Sequence, residues 1–167
     1  MFSKRNPTEQ DVRDVVATLR GREINEIELL LQSPTHVAMT SVKNSQNCHA
    51  IMFDFDKPIA LCGVVDYQGT TKTGLVWIMT SVEAYKYPIA FYKEVKKLVD
   101  HYETQYERLF NYVAVEAVEH QWFIDSLGFD ITKQVYKNET TGQEYYMFEY
   151  VSARGLEKLY KIGAKHG

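Results

Sequence analysis

The stretch Gly74-Leu75-Val76-Trp77-Ile78-Met79-Thr80-Ser81 decides how this chain is read. The apolar run from Leu75 to Met79 describes a central strand covered on both faces. The polar pair Thr80-Ser81 ends it. Pro88 then opens a long helix, at a position where its missing N–H would lack a partner in any case. A second unit of the same kind follows: Tyr112-Val113-Ala114-Val115, a polar connection, and a helix closing on Leu127-Gly128-Phe129. Where a buried strand passes into a helix N-terminus, outward N–H groups can hold an anion such as a cofactor phosphate.

Working outward, Phe2 to Arg5 reads as an edge strand. Thr8 reads as an N-cap with acidic Glu9 and Asp11 in the first turn. Val12, Val15, Val16 and Leu19 share one helical face as far as Gly21, and Ile24, Ile27, Leu30 and Leu31 repeat the pattern up to Ser33-Pro34. Residues 35–45 form a further short polar helix. Strands are expected at 48–55, 59–66 and 74–80, with a tight joint at Asp56-Lys57-Pro58 and a turn at Gln68-Gly69-Thr70. The helix from Pro88 places Ile89, Tyr92, Val95, Leu98, Val99 and Tyr102 on one face and Lys93, Lys96 and Lys97 on the other. A strand at 109–115, a helix at 118–127 and a hairpin of 130–137 with 144–151 complete the order. The tail from Ser152 is helical, with Leu156, Leu159 and Tyr160 able to pack back. The result is an α+β order, β-α-α-β-β-β-α-β-α-β-β: a mixed, mainly antiparallel central sheet with helices on both faces. Residues 1–151 form one domain, and 152–167 a helical tail packing on it.

The chain has 167 residues, 45% of them hydrophobic and 13% aromatic, enough for a sizeable core. A net charge of −3 gives no drive toward nucleic acid or an anionic membrane. No apolar run approaches the ~20 residues of a membrane span, and the N-terminal residues lack a signal-peptide core, so a soluble cytoplasmic protein is expected. Cys48 and Cys62 read as buried reduced thiols. In a hairpin around Asp56-Lys57-Pro58, Cys48 faces a residue near Val65 and Cys62 one near Ile51, so they are not cross-strand partners. The five histidines have no metal-ligand spacing, and no metal is expected.

This order, with Trp122-Phe123-Ile124-Asp125-Ser126-Leu127-Gly128-Phe129 closing the second unit, resembles the GNAT (GCN5-related N-acetyltransferase) fold. Three further stretches resemble the GNAT-like proteins of tailed bacteriophages, the podophage internal virion protein A type among them. They are Val76 to Ser81, Leu109-Phe110-Asn111-Tyr112-Val113, and Glu144-Tyr145-Tyr146-Met147-Phe148. The resemblance implies an acetyl-CoA site where the fourth and fifth strands splay apart. Pantetheine would pair with the backbone of Ile78, Met79 and Thr80, and the pyrophosphate would lie over the turn from Ser81 to Pro88, where Lys86 adds a charge. The chain departs from the family's pattern at three places. Tyr85-Lys86-Tyr87-Pro88-Ile89-Ala90 stands where a Gly-rich turn is usual, Ile124 where a Tyr acid is common, and Ala117 in place of an Asn.

Glu83 and Glu116, at the ends of the two diverging strands, are the candidate bases for an ammonium, and Tyr85 a substitute acid. The ordinary alternatives are solvated carboxylates and aromatic packing. For Thr80 and Ser81 the alternative is a capping pair. Two functions therefore stay open. One is an N-acyltransferase taking acetyl-CoA and a small-molecule or protein amine. The other is a scaffold without chemistry that serves virion assembly or binds a phage or host protein in the host cytoplasm.

Overall fold

Thr8 starts the first helix by a reciprocal arrangement: its hydroxyl accepts from Asp11 N at 3.1 Å, and Asp11 Oδ2 accepts from Thr8 N at 2.9 Å. The computed structural model of the chain describes residues 1–19, 21, 23, 33–69 and 71–166. In order these give β1 (Phe2–Arg5), α1 (Glu9–Ala17), α2 (Pro34–Asn44), β2 (Asn47–Phe53), β3 (Lys57–Tyr67), β4 (Thr73–Thr80), a 3-10 turn (Val82–Lys86) and α3 (Pro88–Glu103). They continue with β5 (Arg108–Ala114), α4 (Val118–Ser126), β6 (Asp130–Lys137), β7 (Glu144–Val151) and α5 (Ala153–His166). The helical pattern built on Ile24, Ile27, Leu30 and Leu31 lies outside the described residues. The strand order is β1-β2-β3-β4-β5-β7-β6; the β4–β5 pairing is parallel. The expected α+β architecture is what the chain adopts. No helix among the described residues is long and apolar enough to cross a membrane.

The chain divides into two compact units, Met1–Val65 with Trp77–Leu98 and Asp66–Val76 with Val99–Gly167. In the first, Val12, Val15 and Leu19 of the α1 segment and Ala38 of α2 pack with Ala50, Met52, Leu61 and Met79 from the strands, and Trp77 joins their edge. Ile51, Ala60 and Val64 are buried as well. Both faces of β2 and β3 are therefore covered. Phe53, Phe2 and Tyr87 form an aromatic group, with the Phe53 and Tyr87 rings stacked 4.7 Å apart.

The hairpin turn differs from the expected one. Asp54 and Phe55 both adopt positive φ (50° and 70°), and Lys57 and Pro58 already belong to β3. Cys48 consequently pairs with Gly63, and Cys62 with His49, a register two residues from the expected one. Neither cysteine forms a disulfide.

In the second unit β7 lies between β5 and β6, so both its edges are paired and β6 is the edge strand. β7 therefore offers no free strand edge. α4 ends as the Leu-Gly-Phe pattern requires: Gly128 takes φ 98°, the left-handed conformation that costs glycine least. Trp122 on α4 is 71% exposed. α5 is anchored at its first turn rather than by its apolar triplet. Gly155 sits so close to Glu107 O that a Cβ there would come within 2.7 Å, and Lys158 pairs with Glu107 at 2.7 Å. Leu156, Leu159 and Tyr160 stay exposed.

The face of α3 is also rephased. Phe91, Val95, Leu98, Val99 and Tyr102 are buried, while Ile89 is 72% exposed. The helix turns Phe91 rather than Ile89 inward, one residue before the expected Tyr92.

Candidate functional site

The parallel ladder of β4 with β5 comprises three pairs among the described residues: Thr73 with Arg108, Gly74 with Leu109 and Leu75 with Phe110. At the next rung a side chain intervenes. Asn111 Nδ2 donates to Val76 O at 2.6 Å, and Asn111 Oδ1 accepts from Tyr112 N at 2.7 Å. The ladder thus stops at Leu75 with Phe110, within the second unit.

Strand parity sets the direction of each later residue on β4. Ser81 N donates to Ile59 O on β3 at 2.9 Å, so odd-numbered residues here turn their polar groups toward β3. Val76, Ile78 and Thr80 turn theirs to the opposite edge. On that edge Thr80 N faces the Glu23 carboxylate at 3.3 and 3.4 Å. Of the residues expected to hold a cofactor, Ile78 therefore offers its backbone on the edge away from β3. Met79 points its side chain into the core of the first unit. Thr80 and Ser81 are buried. Ser81 Oγ lies 2.7 Å from Thr18 Oγ1 and accepts from Glu83 N at 3.1 Å, capping the 3-10 turn.

Glu83 and Lys86 are brought together, though as an ion pair. Lys86 Nζ lies 2.7 Å and Lys57 Nζ 3.0 Å from Glu83 Oε2. The Lys86 and Lys57 ammoniums hold the Glu83 carboxyl below the usual carboxylate range, and Glu83 in turn raises Lys86. A carboxylate so held is a weaker proton acceptor, and part of the lysine charge that a phosphate could use is already neutralised. These three residues, with Phe53, Ile59 and Tyr87, bound a shallow, open cleft of about 90 Å³, well below the roughly 300–1,000 Å³ of a small-molecule pocket. Tyr85 stands on the 3-10 turn, 56% exposed.

Glu116 belongs to the second unit, exposed in the turn after β5. Ala117 takes the N-cap position of α4 with no side-chain cap, and Gln121 reaches back instead. Its Nε2 donates to Ala114 O at 3.0 Å and Val115 O at 2.8 Å. Ile124 is half-buried on the same helix. Asp66 accepts a short hydrogen bond from the Tyr106 hydroxyl. Burial pushes the Cys48 thiol up to about 11, which keeps it protonated and a poor nucleophile.

Three residues that satisfy the strand ends within their own units escape a reading of the sequence for chemistry. Asn111 and Gln121 satisfy the end of β5, and Glu23 meets the last outward N–H of β4. Asn111 does carry a signal: a polar, strand-averse residue inside Leu109-Phe110-Asn111-Tyr112-Val113. Glu23 carries none.

The sequence matches no family model and no curated protein. The fold does match solved structures. The spermidine N-acetyltransferase of Vibrio cholerae in complex with CoA and spermine is similar over 93% of this chain and 98% of its own, with a TM-score of 0.69 at 12% identity. A chimera of the V. cholerae enzyme SpeG with hSSAT gives a TM-score of 0.70 at 13% identity, over 93% and 98% of the two chains. A putative phosphinothricin N-acetyltransferase gives 0.68 at 12% identity, over 92% and 99%. At such identities the likeness concerns the fold, and that fold is the GNAT fold.

Proposed function

We propose that this chain is an N-acyltransferase that takes acetyl-CoA as donor and a primary amine, on a small molecule or a protein, as acceptor. The observation that carries the reading is Ile78 itself, whose backbone N–H and C=O lie on the β4 edge directed away from β3. A neighbour of the same fold holds CoA and spermine, which supports both the cofactor and the amine class.

The residues fit a pantetheine arm better than a diphosphate. Ile78 offers one N–H and one C=O on the same edge, the pair an amide-bearing arm needs. At the diphosphate turn Pro88 lacks an N–H, no glycine lets the backbone close in, and Lys86 already serves Glu83. Bound acetyl-CoA would supply a thioester, an acyl carbon activated toward an amine. The chain's own contribution is to orient that carbon along β4 and to polarise its carbonyl with a backbone N–H. Thr80 N is a donor so placed, and it now faces Glu23. The acceptor ammonium must lose a proton before it attacks. Glu116 is the better candidate base, because Glu83 is held in its charged form by two lysines. Tyr85, exposed beside the cleft, is the candidate acid for the leaving thiolate. Met79 and Ser81 act from behind, fixing the strand and its cap. A cytoplasm, the host's if the chain is phage-encoded, supplies acetyl-CoA.

Calorimetric titration with acetyl-CoA tests this reading. A dissociation constant in the micromolar range is expected, worth about 8 kcal/mol at 1 μM. Absence of heat at millimolar ligand would overturn it.

A second reading is favoured by the Glu83–Lys86 pair together with Ile124: the scaffold kept without the chemistry, serving virion assembly or a protein partner. That same null titration would leave it standing.

A further inference from the structure

We propose that α5 docks the chain on an anionic lipid surface, through an outward apolar stripe backed by a basic side. The helix lies wholly within the second unit. Gly155, Lys158 and Ile162, at i, i+3 and i+7, are its covered side, with Lys158 Nζ 2.7 Å from Glu107. Leu156, Leu159, Tyr160 and Gly163, at i, i+3, i+4 and i+7, line an adjoining side that stays exposed. Tyr160 is the most open of them, at 77%.

The side opposite that stripe is basic. Within the helix Arg154, Lys158, Lys161 and Lys165 outnumber Glu157, on a chain whose net charge is −3. Glu107 holds Lys158 and lies 3.4 Å from Arg154, while Glu157 pairs with Lys161. Positive charge remains in excess after both carboxylates are counted. The Arg154 and Lys161 side chains stay 76% and 72% exposed. Positive charge is thus concentrated in the one helix that also presents the stripe, and the net charge of the whole chain conceals it.

This segregation decides the occupant. Leucine and tyrosine opposite lysine and arginine make a helix that lies in the headgroup region, apolar side down. Long cationic stems reach lipid phosphates, and a tyrosine ring suits the boundary between tails and water. A bilayer also demands no matching shape. A stable protein partner needs roughly 800 Å² per side, of which three such side chains supply about half or less. The attachment is reversible, and it is independent of acyl transfer.

The test is co-sedimentation of the full chain with vesicles of phosphatidylcholine, alone or with about a third phosphatidylglycerol. Wild type should bind the anionic vesicles about tenfold more tightly, and raising salt from about 50 to 500 mM should release it. L156Q/Y160Q should weaken binding by about tenfold or more, whereas W122Q, at an exposed apolar residue on α4, should stay within about threefold. Should the double variant fail to fold, K161E takes its place, with an expected loss of about fivefold or more.

Equal binding to both vesicle types, or none to the anionic ones at low salt, overturns the proposal. So does a loss in W122Q as large as that in L156Q/Y160Q. Light scattering without lipid that gives a dimer mass for wild type and a monomer mass for L156Q/Y160Q overturns it in favour of a second copy.

Discussion

The two strand-to-helix junctions look alike in sequence and are built differently. After β4, Ser81 is buried, bonded to Thr18, capping the 3-10 turn and paired to β3; Val82 N donates to Thr18 O at 2.8 Å. The turn Val82–Lys86 stands between the strand end and α3, and a carboxylate of the chain holds both nearby lysines. After β5, an uncapped Ala117 leads into a helix with no buried side chain, tied back by Gln121. A helix N-terminus following a strand is therefore no measure of an open anion site. What decides is whether the chain has committed its own caps and charges there.

The largest effect that separates the junctions is expected at Ser81. S81A loses a buried hydroxyl with two partners, and a cost of about 2 kcal/mol, a melting point lower by roughly 4–8 °C, should appear in thermal unfolding. Equal costs for S81A and Q121A would erase the contrast. Q121A removes a half-buried amide from two carbonyls, which water reaches more easily, and should cost about 1 kcal/mol or roughly 2–4 °C.

The smallest effect is expected from E83Q, and its sign is informative. The Glu83 carboxyl titrates lower in the folded chain, so its stabilisation is present above the ordinary carboxylate range and lost as pH falls through the folded value. Acid melting curves of wild type and E83Q should therefore converge at low pH and separate near neutrality, with wild type the more stable. E83Q also releases Lys57 and Lys86, and should tighten CoA binding by roughly threefold. Weaker binding would show that the diphosphate does not use these lysines.

Most of the fold was legible because alternation, caps and turn residues agree. β1, β6 and β7 have the bounds read from the sequence, Thr8 caps α1, and Gly128 ends α4. The β2–β3 turn was misread because Pro58 drew the joint toward itself, while two non-glycine residues, Asp54 and Phe55, took the left-handed conformations. Face assignment on α3 failed for a related reason: Tyr87, Ile89, Phe91 and Tyr92 offer several apolar phases, and the fold chose the one through Phe91. The candidate site was legible as a location and not as a wiring diagram. That Glu83 would meet two lysines, one from a distant strand, depends on tertiary placement that no local pattern encodes.

The two tryptophans fall one to each unit. Trp77 is half-buried, its indole N–H bonded to Ser45 Oγ at 2.7 Å, while Trp122 stands 71% exposed. Fluorescence thus comes from two emitters in unlike surroundings. A water-borne quencher such as iodide reaches the outer one first, and what persists reports the other. Melting of either half can be followed without a dye.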